Sequence, residues 1–190
     1  STDNSQEILK LYENKITYAT IPEPVGPSEA RNVLLNMTID KYDCFAILDA
    51  DDIMYPHKLE KCVDELFSDD NIGVVYADYD ILNVDTGTLI REYKEPFDRI
   101  RLGQECIVHS GAVIKKEPLL MTRNNNGFYN RTMRTCEDYE LWIRISKFFM
   151  ISHIPESLTL VRNHQNNSTN TVSKEIWENN WRKVAEAYSL

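Results

Sequence analysis

A short apolar run that ends abruptly in carboxylates is the feature that most restricts the fold of this chain. Residues 44–48 are all apolar, and Asp49, Asp51 and Asp52 follow at once. A run this short is typical of a strand buried on both faces rather than of a helix. Open α/β sheets bind ligands beyond the carboxyl ends of their strands. The sequence therefore predicts a ligand site at this strand end.

The spacing of the carboxylates indicates what the ligand is. While the chain remains extended, the side chains of Asp49 and Asp51 point the same way and can meet one hard cation or one metal-bound phosphate. Adjacent negative charges repel one another in a partly dry site unless something positive is bound there. The pattern therefore predicts a site for a divalent metal and a phosphate.

The rest of the chain alternates predicted strands with predicted helices. Apolar periodicity predicts helices over residues 3–14, 28–37, 56–67, 137–149 and 173–188, and strands over residues 16–19, 44–48, 72–76, 107–114, 151–154 and 158–161. Residues 81–84 and 88–93, joined by Asp85-Thr-Gly87, predict a β-hairpin. This order predicts an α/β fold with a mainly parallel sheet flanked by helices and a small antiparallel element.

Length and charge restrict the class of protein. A chain of 190 residues with 42% hydrophobic content is expected to form one domain, residues 1–190. The net charge of -9 leaves no basic surface for a nucleic acid partner. No apolar stretch reaches the roughly 20 residues of a membrane span. The four cysteines show no Cys-x-x-Cys spacing, which favours reduced thiols and a cytoplasmic location, including the cytoplasmic face of a membrane.

A second informative cluster opens the predicted helix 137–149. Asp138 lies three residues before Leu141 and four before Trp142, so it continues the inward face of that helix. A carboxylate in the first turn gains about 0.3–1 kcal/mol from the helix dipole, but this gain does not require the inward face. Asp138 is therefore a candidate catalytic residue, with the dipole role as the alternative.

Three further positions allow two interpretations each. Arg31, one turn into its helix, lies either on a solvated face or toward the ligand cleft. His164 follows a predicted strand and is either a surface residue or a metal ligand, since imidazole suits Mn²⁺ better than Mg²⁺. Gly111, preceded by Ser110 within a strand pattern, marks the close approach of a ligand or of another backbone.

Five motifs in register resemble those of family 2 glycosyltransferases, which have the GT-A fold with an Asp-x-Asp motif. They are Ala30-Arg-Asn32, Phe45-Ala-Ile-Leu-Asp-Ala-Asp-Asp52, Gly73-Val-Val-Tyr76, Glu137-Asp-Tyr-Glu-Leu-Trp142 and Arg162-Asn-His164. The resemblance covers nearly the whole chain. It implies a nucleotide-sugar-binding half over residues 1–95 and an acceptor-binding, catalytic half over residues 96–190.

The resemblance also implies roles for single residues. Asp49 would lie near the ribose, and Asp51 would bind a Mn²⁺ or Mg²⁺ ion that bridges the diphosphate, with His164 as a further metal ligand. Arg31 would lie near the nucleotide base, and Asp138 would be the general base. Ala50 belongs to the same donor motif. The acceptor side would draw on the remaining candidates Ser110, Gly111, Glu137 and Trp142. Trp142 would either stack on an acceptor sugar or pack in the core.

The implied reaction is an inverting transfer of a sugar from a nucleoside diphosphate sugar, in particular a UDP-sugar, to an acceptor hydroxyl of a glycan or glycoconjugate. Members of the family normally begin with a strand, helix and strand that end in Asp-Asp-Gly-Ser-Thr-Asp-Asn-Ser, whereas this chain opens at Ser1-Thr-Asp-Asn-Ser5. We therefore expect it to be part of a longer protein with further domains.

Two other functions remain open at this stage. A phosphatase of the haloacid dehalogenase type also places Asp-x-Asp after a strand, although it usually has Thr or Val where this chain has Ile53. A non-catalytic module that binds the metal and nucleotide-sugar would show the same motifs. An EF-hand is disfavoured because Met54 stands where the loop requires glycine.

Overall fold

The computed structural model describes residues 3–188 and shows a mixed sheet with helices packed around it. The helices are α1 (Ser5–Leu11), α2 (Gly26–Thr38), α3 (Lys58–Leu66), α4 (Arg99–Gln104), α5 (Lys116–Thr122), α6 (Glu137–Ser146), α7 (Ser168–Thr171) and α8 (Lys174–Tyr188). The strands are β1 (Cys44–Ala46), β2 (Ile53–Met54), β3 (Ile72–Asn83), β4 (Leu89–Glu92), β5 (Val113–Lys115) and β6 (Met150–Asn163). No helix in this range is long and apolar enough to cross a bilayer.

The strands are ordered β1-β5-β3-β6-β2, and β4 pairs with the outer part of β3. The longest ladder, β3 with β6, is parallel, whereas β1 with β5, β3 with β5, β2 with β6 and β3 with β4 are antiparallel. The α/β class and the hairpin are confirmed. Antiparallel pairing extends further than the small element that the sequence predicts.

Strand β3 has helices against both faces, which explains its continuous apolar start. Val75 packs with Cys62 and Leu66 of α3, whereas Val74 belongs to the larger core that includes Leu141 of α6. Neighbouring residues of a strand point to opposite faces, so the two valines serve two cores. The sheet thereby holds α3 on one side and α6 on the other.

Several predicted strands differ in the structure. Residues 16–19 form no strand, and the side chains of Ile16 and Tyr18 are exposed. The predicted strand 107–114 is reduced to β5. The two predicted strands near the carboxyl end join as β6, which passes Pro155 by a register shift opposite Ala77 and Asp78 of β3. A bulge of this kind lets one strand continue past a proline without a regular hydrogen bond.

The predicted strand 44–48 contacts both cores but is only half-buried, so the expectation of a buried strand was wrong. Strand β1 covers only Cys44–Ala46, is half-buried, and pairs with β5 at the end of the sheet order. In α3, Leu59 is exposed although the apolar pattern predicts burial, and the neighbouring Lys58 is buried instead. The ammonium Nζ of Lys58 donates to Thr159 Oγ1 at 2.7 Å, which provides the buried charge with a partner.

Candidate active site

A cleft of about 390 Å³ brings the two acidic clusters of the sequence together. Asp49, Asp51 and Asp52, which follow β1, line it opposite Glu137 and Asp138 at the start of α6. Its remaining wall comes from the loop before β5, the segment after β6 and α8. The strand end predicted to bind a ligand is thus part of a real cavity, and the candidate catalytic carboxylate faces the same space.

The aspartates after β1 do not lie on an extended chain. The backbone N–H of Asp52 donates to the carbonyl of Asp49 at 3.1 Å, which closes a turn across the motif. The argument that an extended backbone aligns Asp49 with Asp51 was therefore wrong. Each carboxylate has its own partner instead, because Asp49 accepts from Arg31 and Asp51 contacts His164.

An imidazole and an amide lie beside the carboxylate of Asp51. Nε2 of His164 lies 3.1 Å from Asp51 Oδ2, and Asn167 Nδ2 donates to the same oxygen at 3.0 Å. The guanidinium of Arg162 donates to the backbone carbonyl of Asp51 and so fixes the turn to the end of β6. These contacts hold one carboxylate oxygen and one imidazole nitrogen side by side.

This pair fits a Mn²⁺ or Mg²⁺ ion that the protein holds jointly with a substrate. Among residues 3–188, no group of three or more His, Cys, Asp or Glu side chains could enclose a metal ion. Such an enclosure is not required, because Mg²⁺ is usually bound through one or two carboxylates together with substrate phosphates. The imidazole of His164 favours Mn²⁺ over Mg²⁺.

Arg31 joins the two acidic clusters. Its Nη2 donates to Asp49 Oδ1 and its Nη1 to Glu137 Oε1, both at 2.8 Å, and its guanidinium lies 5.2 Å from the centre of the Tyr129 ring. The side chains of Arg31 and Glu137 are 12% and 10% exposed. The arginine lies in the cleft, as the second of its two interpretations predicts.

The two acids that open α6 are difficult to ionise. Burial raises the pKa of Glu137 to about 7, the negative charge of Asp138 adds to the increase, and Arg31 opposes it. Burial likewise raises the pKa of Asp138, although the N–H of Tyr139 donates to its Oδ1 at 2.8 Å and opposes the shift. A carboxylate with a raised pKa is a better proton acceptor near neutral pH.

A left-handed residue aims these acids into the cleft. Cys136, immediately before α6, has a φ of 60°, a conformation that costs a non-glycine residue about 1–2 kcal/mol. The chain turns sharply there, and the first residues of α6 follow directly at the cleft wall. The side chain of Cys136 is itself buried in the main core.

Of the other predicted site residues, one lines the cleft and two lie beside it. Ser110 lines the cleft. Gly111 lies behind it, where a Cβ atom would come within 3.0 Å of His109 Nδ1 and 3.2 Å of Lys58 Nζ, so the close approach is to side chains. Ala50 borders a neighbouring apolar groove between α2 and β1.

Trp142 does not line the cleft. It is fully buried in the main core, between the sheet and its neighbouring helices. The expectation that it stacks on an acceptor sugar is therefore contradicted, because no face of its ring is accessible. The alternative interpretation, ordinary core packing, is confirmed.

Sequence reasoning missed several residues of the cleft. Trp177 of α8 and Asn167 both line it. In the sequence Trp177 is only one more apolar position of the predicted helix 173–188, and Asn167 carries no signal. His109 also lines the cleft and stacks on Tyr79, with ring centres 4.1 Å apart. Burial lowers the pKa of His109 to about 3, so the ring is neutral, and its Nδ1 accepts from the N–H of Gly111.

Comparison with known proteins agrees with this geometry. Residues 1–154 match the profile of glycosyl transferase family 2. The chain is 27% identical to an uncharacterized glycosyltransferase of Methanocaldococcus jannaschii over 74% of this chain and 49% of that protein. It is 27% identical to the chondroitin synthase of Pasteurella multocida over 81% of this chain and 16% of that protein. With the O-antigen biosynthesis glycosyltransferase WbnJ of Escherichia coli it shares 31% identity over 55% of this chain and 40% of that protein.

A solved structure shares the fold. The crystal structure of a mycobacterial protein superposes with a TM-score of 0.61, at 17% identity, over 93% of this chain and 59% of that one. The chain spans about half the length of several curated relatives that it matches. Since the family profile covers most of the chain, including both acidic clusters, the chain belongs to glycosyl transferase family 2.

Proposed function

We propose that the cleft transfers a sugar, with inversion, from a nucleoside diphosphate sugar to an acceptor hydroxyl in the presence of Mn²⁺ or Mg²⁺. We infer that the donor is a UDP-sugar and the acceptor a glycan or glycoconjugate. One observation carries the proposal: Asp51, whose carboxylate contacts His164 at 3.1 Å, lines the same cavity as the partly buried carboxylate of Asp138. A metal-bound leaving group and a proton acceptor are the two devices that such a transfer requires.

The donor would occupy the part of the cleft beside the turn after β1. Asp51 and His164 would hold the metal ion against the diphosphate, and the bound ion would supply Lewis-acid stabilisation of the departing negative charge. Arg31 and Asp49, linked at 2.8 Å, border the same cleft and would contact the nucleoside. Their ion pair is half-open to solvent at Asp49, whose side chain is 47% exposed.

The acceptor would enter beside Asp138. Its carboxylate would take the proton of the acceptor hydroxyl while the hydroxyl oxygen forms a bond to the anomeric carbon. The bond from that carbon to the diphosphate oxygen would break on the opposite face, and its electron pair would leave with the diphosphate. The raised pKa of Asp138 suits a general base. Glu137 would keep Arg31 in place rather than react.

Two other observations support parts of the proposal. Relatives include a chondroitin synthase and an O-antigen biosynthesis glycosyltransferase, both named for glycan synthesis. The four cysteines are free in the structure, which favours a reducing compartment and hence the cytoplasm. A longer polypeptide with further domains is part of the same proposal.

The experiment measures nucleotide release and nucleotide affinity separately. The protein is incubated with Mn²⁺ and a panel of UDP-, GDP- and dTDP-sugars, and the variant Asp138→Asn is compared with Asp85→Asn in the exposed hairpin turn. We expect Asp138→Asn to lose about 10²–10⁴-fold in turnover while UDP affinity is retained, and Asp85→Asn to match the unmodified chain.

Other outcomes would contradict the proposal in defined ways. Equal loss of turnover and UDP affinity in Asp138→Asn would assign a structural role to Asp138. Cleavage of p-nitrophenyl phosphate without release of nucleotide would indicate the phosphatase. Nucleotide-sugar affinity without turnover of any donor would indicate a non-catalytic binding module.

A further inference from the structure

A second cavity, of about 470 Å³, adjoins the catalytic cleft. Six residues border it: Cys136, Lys174, Trp177, Glu178, Trp181 and Arg182. Cys136 and Trp177 also border the catalytic cleft, so the two cavities share a wall. A molecule that reaches Asp138 can therefore extend along α8 without leaving the protein surface.

Helix α8 is fixed beside the catalytic acids by its inner face. Nδ2 of the buried Asn180 donates to Thr135 Oγ1 at 3.0 Å, two residues before the start of α6. Val184 is fully buried, and the hydroxyl of Tyr188 donates to Glu140 of α6 at 2.6 Å. These contacts recur every three to four residues and account for the helix packing against the core.

Trp181 is not part of that inner face. It is 45% exposed, although a tryptophan of this size usually packs against the protein. Trp177 precedes it by one helical turn, a rise of about 6 Å, and is partly buried against the core. Lys174 and Glu178, an ion pair at 3.5 Å, and Arg182 lie on the rim. Two indoles with charged neighbours thus lead outward from the catalytic cleft.

We propose that Trp177 and Trp181 bind the sugar units of an oligosaccharide acceptor next to the one that carries the reacting hydroxyl. This inference rests on the proposed glycosyl transfer and names the acceptor as an oligosaccharide chain. A pyranose ring presents C–H bonds on its face and hydroxyls at its edge, so it matches apolar aromatic walls with a few polar groups at the rim. The shared wall at Trp177 makes the subsite continuous with the catalytic cleft.

The experiment separates saccharide binding from donor turnover. Binding to a printed array of mono- and oligosaccharides of glucose, N-acetylglucosamine and uronic acid repeats is compared among the unmodified chain, Trp181→Ala and Trp181→Phe. Phe148→Ala is the matched control, because Phe148 is an aromatic side chain that is 65% exposed outside both cavities. UDP affinity and donor hydrolysis without acceptor are measured in parallel.

We expect Trp181→Ala to lose about tenfold or more in affinity for trisaccharides and longer chains, with UDP affinity and donor hydrolysis unchanged. Trp181→Phe should recover most of the loss, and Phe148→Ala should behave as the unmodified chain. Oligosaccharide affinity that is equal in all four proteins, or absent from the unmodified chain, would overturn the subsite. The unmodified chain could also prefer octyl glucoside to glucose and lose this preference in Trp181→Ala. That result would overturn the subsite too, because the two indoles would then bind an alkyl chain.

The two proposals fail in different measurements. If no nucleotide-sugar is turned over but Trp181 still governs oligosaccharide affinity, the transfer proposal is wrong and the saccharide site stands. If donor hydrolysis occurs and depends on Asp138, but replacement of Trp181 leaves oligosaccharide affinity unchanged, the transfer proposal stands and the subsite is wrong.

Discussion

His164 Nε2 lies 3.1 Å from Asp51 Oδ2, although 113 residues separate the two in the chain. Strand β6 delivers the histidine to this position, because the antiparallel pairing of Ile53 in β2 with Leu160 in β6 places the residues before β2 beside the end of β6. Both side chains are partly exposed, with 30% and 37% of their surface accessible, so a metal ion and a substrate phosphate can reach them together.

Replacement of His164 should weaken manganese binding. His164→Ala removes the only imidazole in contact with Asp51 among the described residues, and we expect the Mn²⁺ concentration for half-maximal donor hydrolysis to rise about tenfold or more. The measurement is a Mn²⁺ titration of hydrolysis, with free Mn²⁺ followed by electron paramagnetic resonance. His57→Ala is the control, since His57 is exposed and contacts only Glu60. Equal titrations in both variants would remove His164 from the metal site.

Donor binding should depend on the two-pronged guanidinium of Arg31 and not only on its positive charge. Arg31→Lys keeps a cation, but one ammonium cannot reproduce the fork that reaches Asp49 and Glu137 together. A lost hydrogen bond to a charged group is worth about 1.5–3 kcal/mol, so UDP affinity should fall about tenfold or more.

Isothermal titration with UDP and Mn²⁺ measures this effect. Arg131→Lys is the control, because Arg131 is half-exposed, lies outside the catalytic cleft, donates to the carbonyl of Asn126 at 3.2 Å and forms a loose pair with Glu29 at 3.6 Å. Unchanged affinity in Arg31→Lys would show that the arginine acts by charge alone or lies outside the donor site.

Asn32 should be essential for the stability of the site. Its amide accepts from the N–H of Tyr129 at 2.9 Å and donates to the carbonyl of the same residue at 2.8 Å, and it is buried. Asn32→Ala leaves both backbone groups without a partner, so the free energy of unfolding should fall by about 2–3 kcal/mol.

Urea denaturation tests this expectation. Asn36→Ala on the same helix is the control, since Asn36 is exposed and its amide donates to a carbonyl of its own helix. Equal midpoints for the two variants would mean that water replaces the Asn32 contacts.

The local sequence pattern was sufficient to predict much of the fold and part of the candidate site. The apolar spacing of α6 placed Asp138 on the inward face, and the turn residues around Asp85 located the hairpin. Burial of β1 failed because an apolar run does not reveal whether one strand or two will pair beside it. Among residues 3–188, β1 has a partner strand on one edge only, which is β5.

Two tryptophans show what the local sequence pattern does not predict. Trp142 and Trp177 both occupy apolar positions of helices, but the first is fully buried and the second borders the cleft. The difference depends on neighbours that are distant in sequence. The partnership of His164 with Asp51 was likewise reached only through the resemblance to a family, because no spacing joins residues so far apart.

Glu137 should make the free energy of unfolding depend on pH, and its replacement should remove that dependence. Its pKa is raised from 4.5 to about 7 in the folded chain, chiefly by burial. The folded state therefore holds a proton that the unfolded state has lost between these pH values, and the contribution of this group to stability falls as pH rises through that window. A shift of this size corresponds to at most about 3 kcal/mol.

Glu137→Gln has no proton to lose, so its free energy of unfolding relative to the unmodified chain should rise between pH 5 and pH 8, by up to about 3 kcal/mol. Urea denaturation at both pH values measures the difference, with Glu117→Gln as the control because Glu117 is exposed in the first turn of α5. The sign is the decisive point, since the part of the Arg31 contact that does not depend on the charge of Glu137 shifts both values equally. A difference that falls with rising pH would mean that Arg31 keeps Glu137 ionised and that burial does not dominate its pKa.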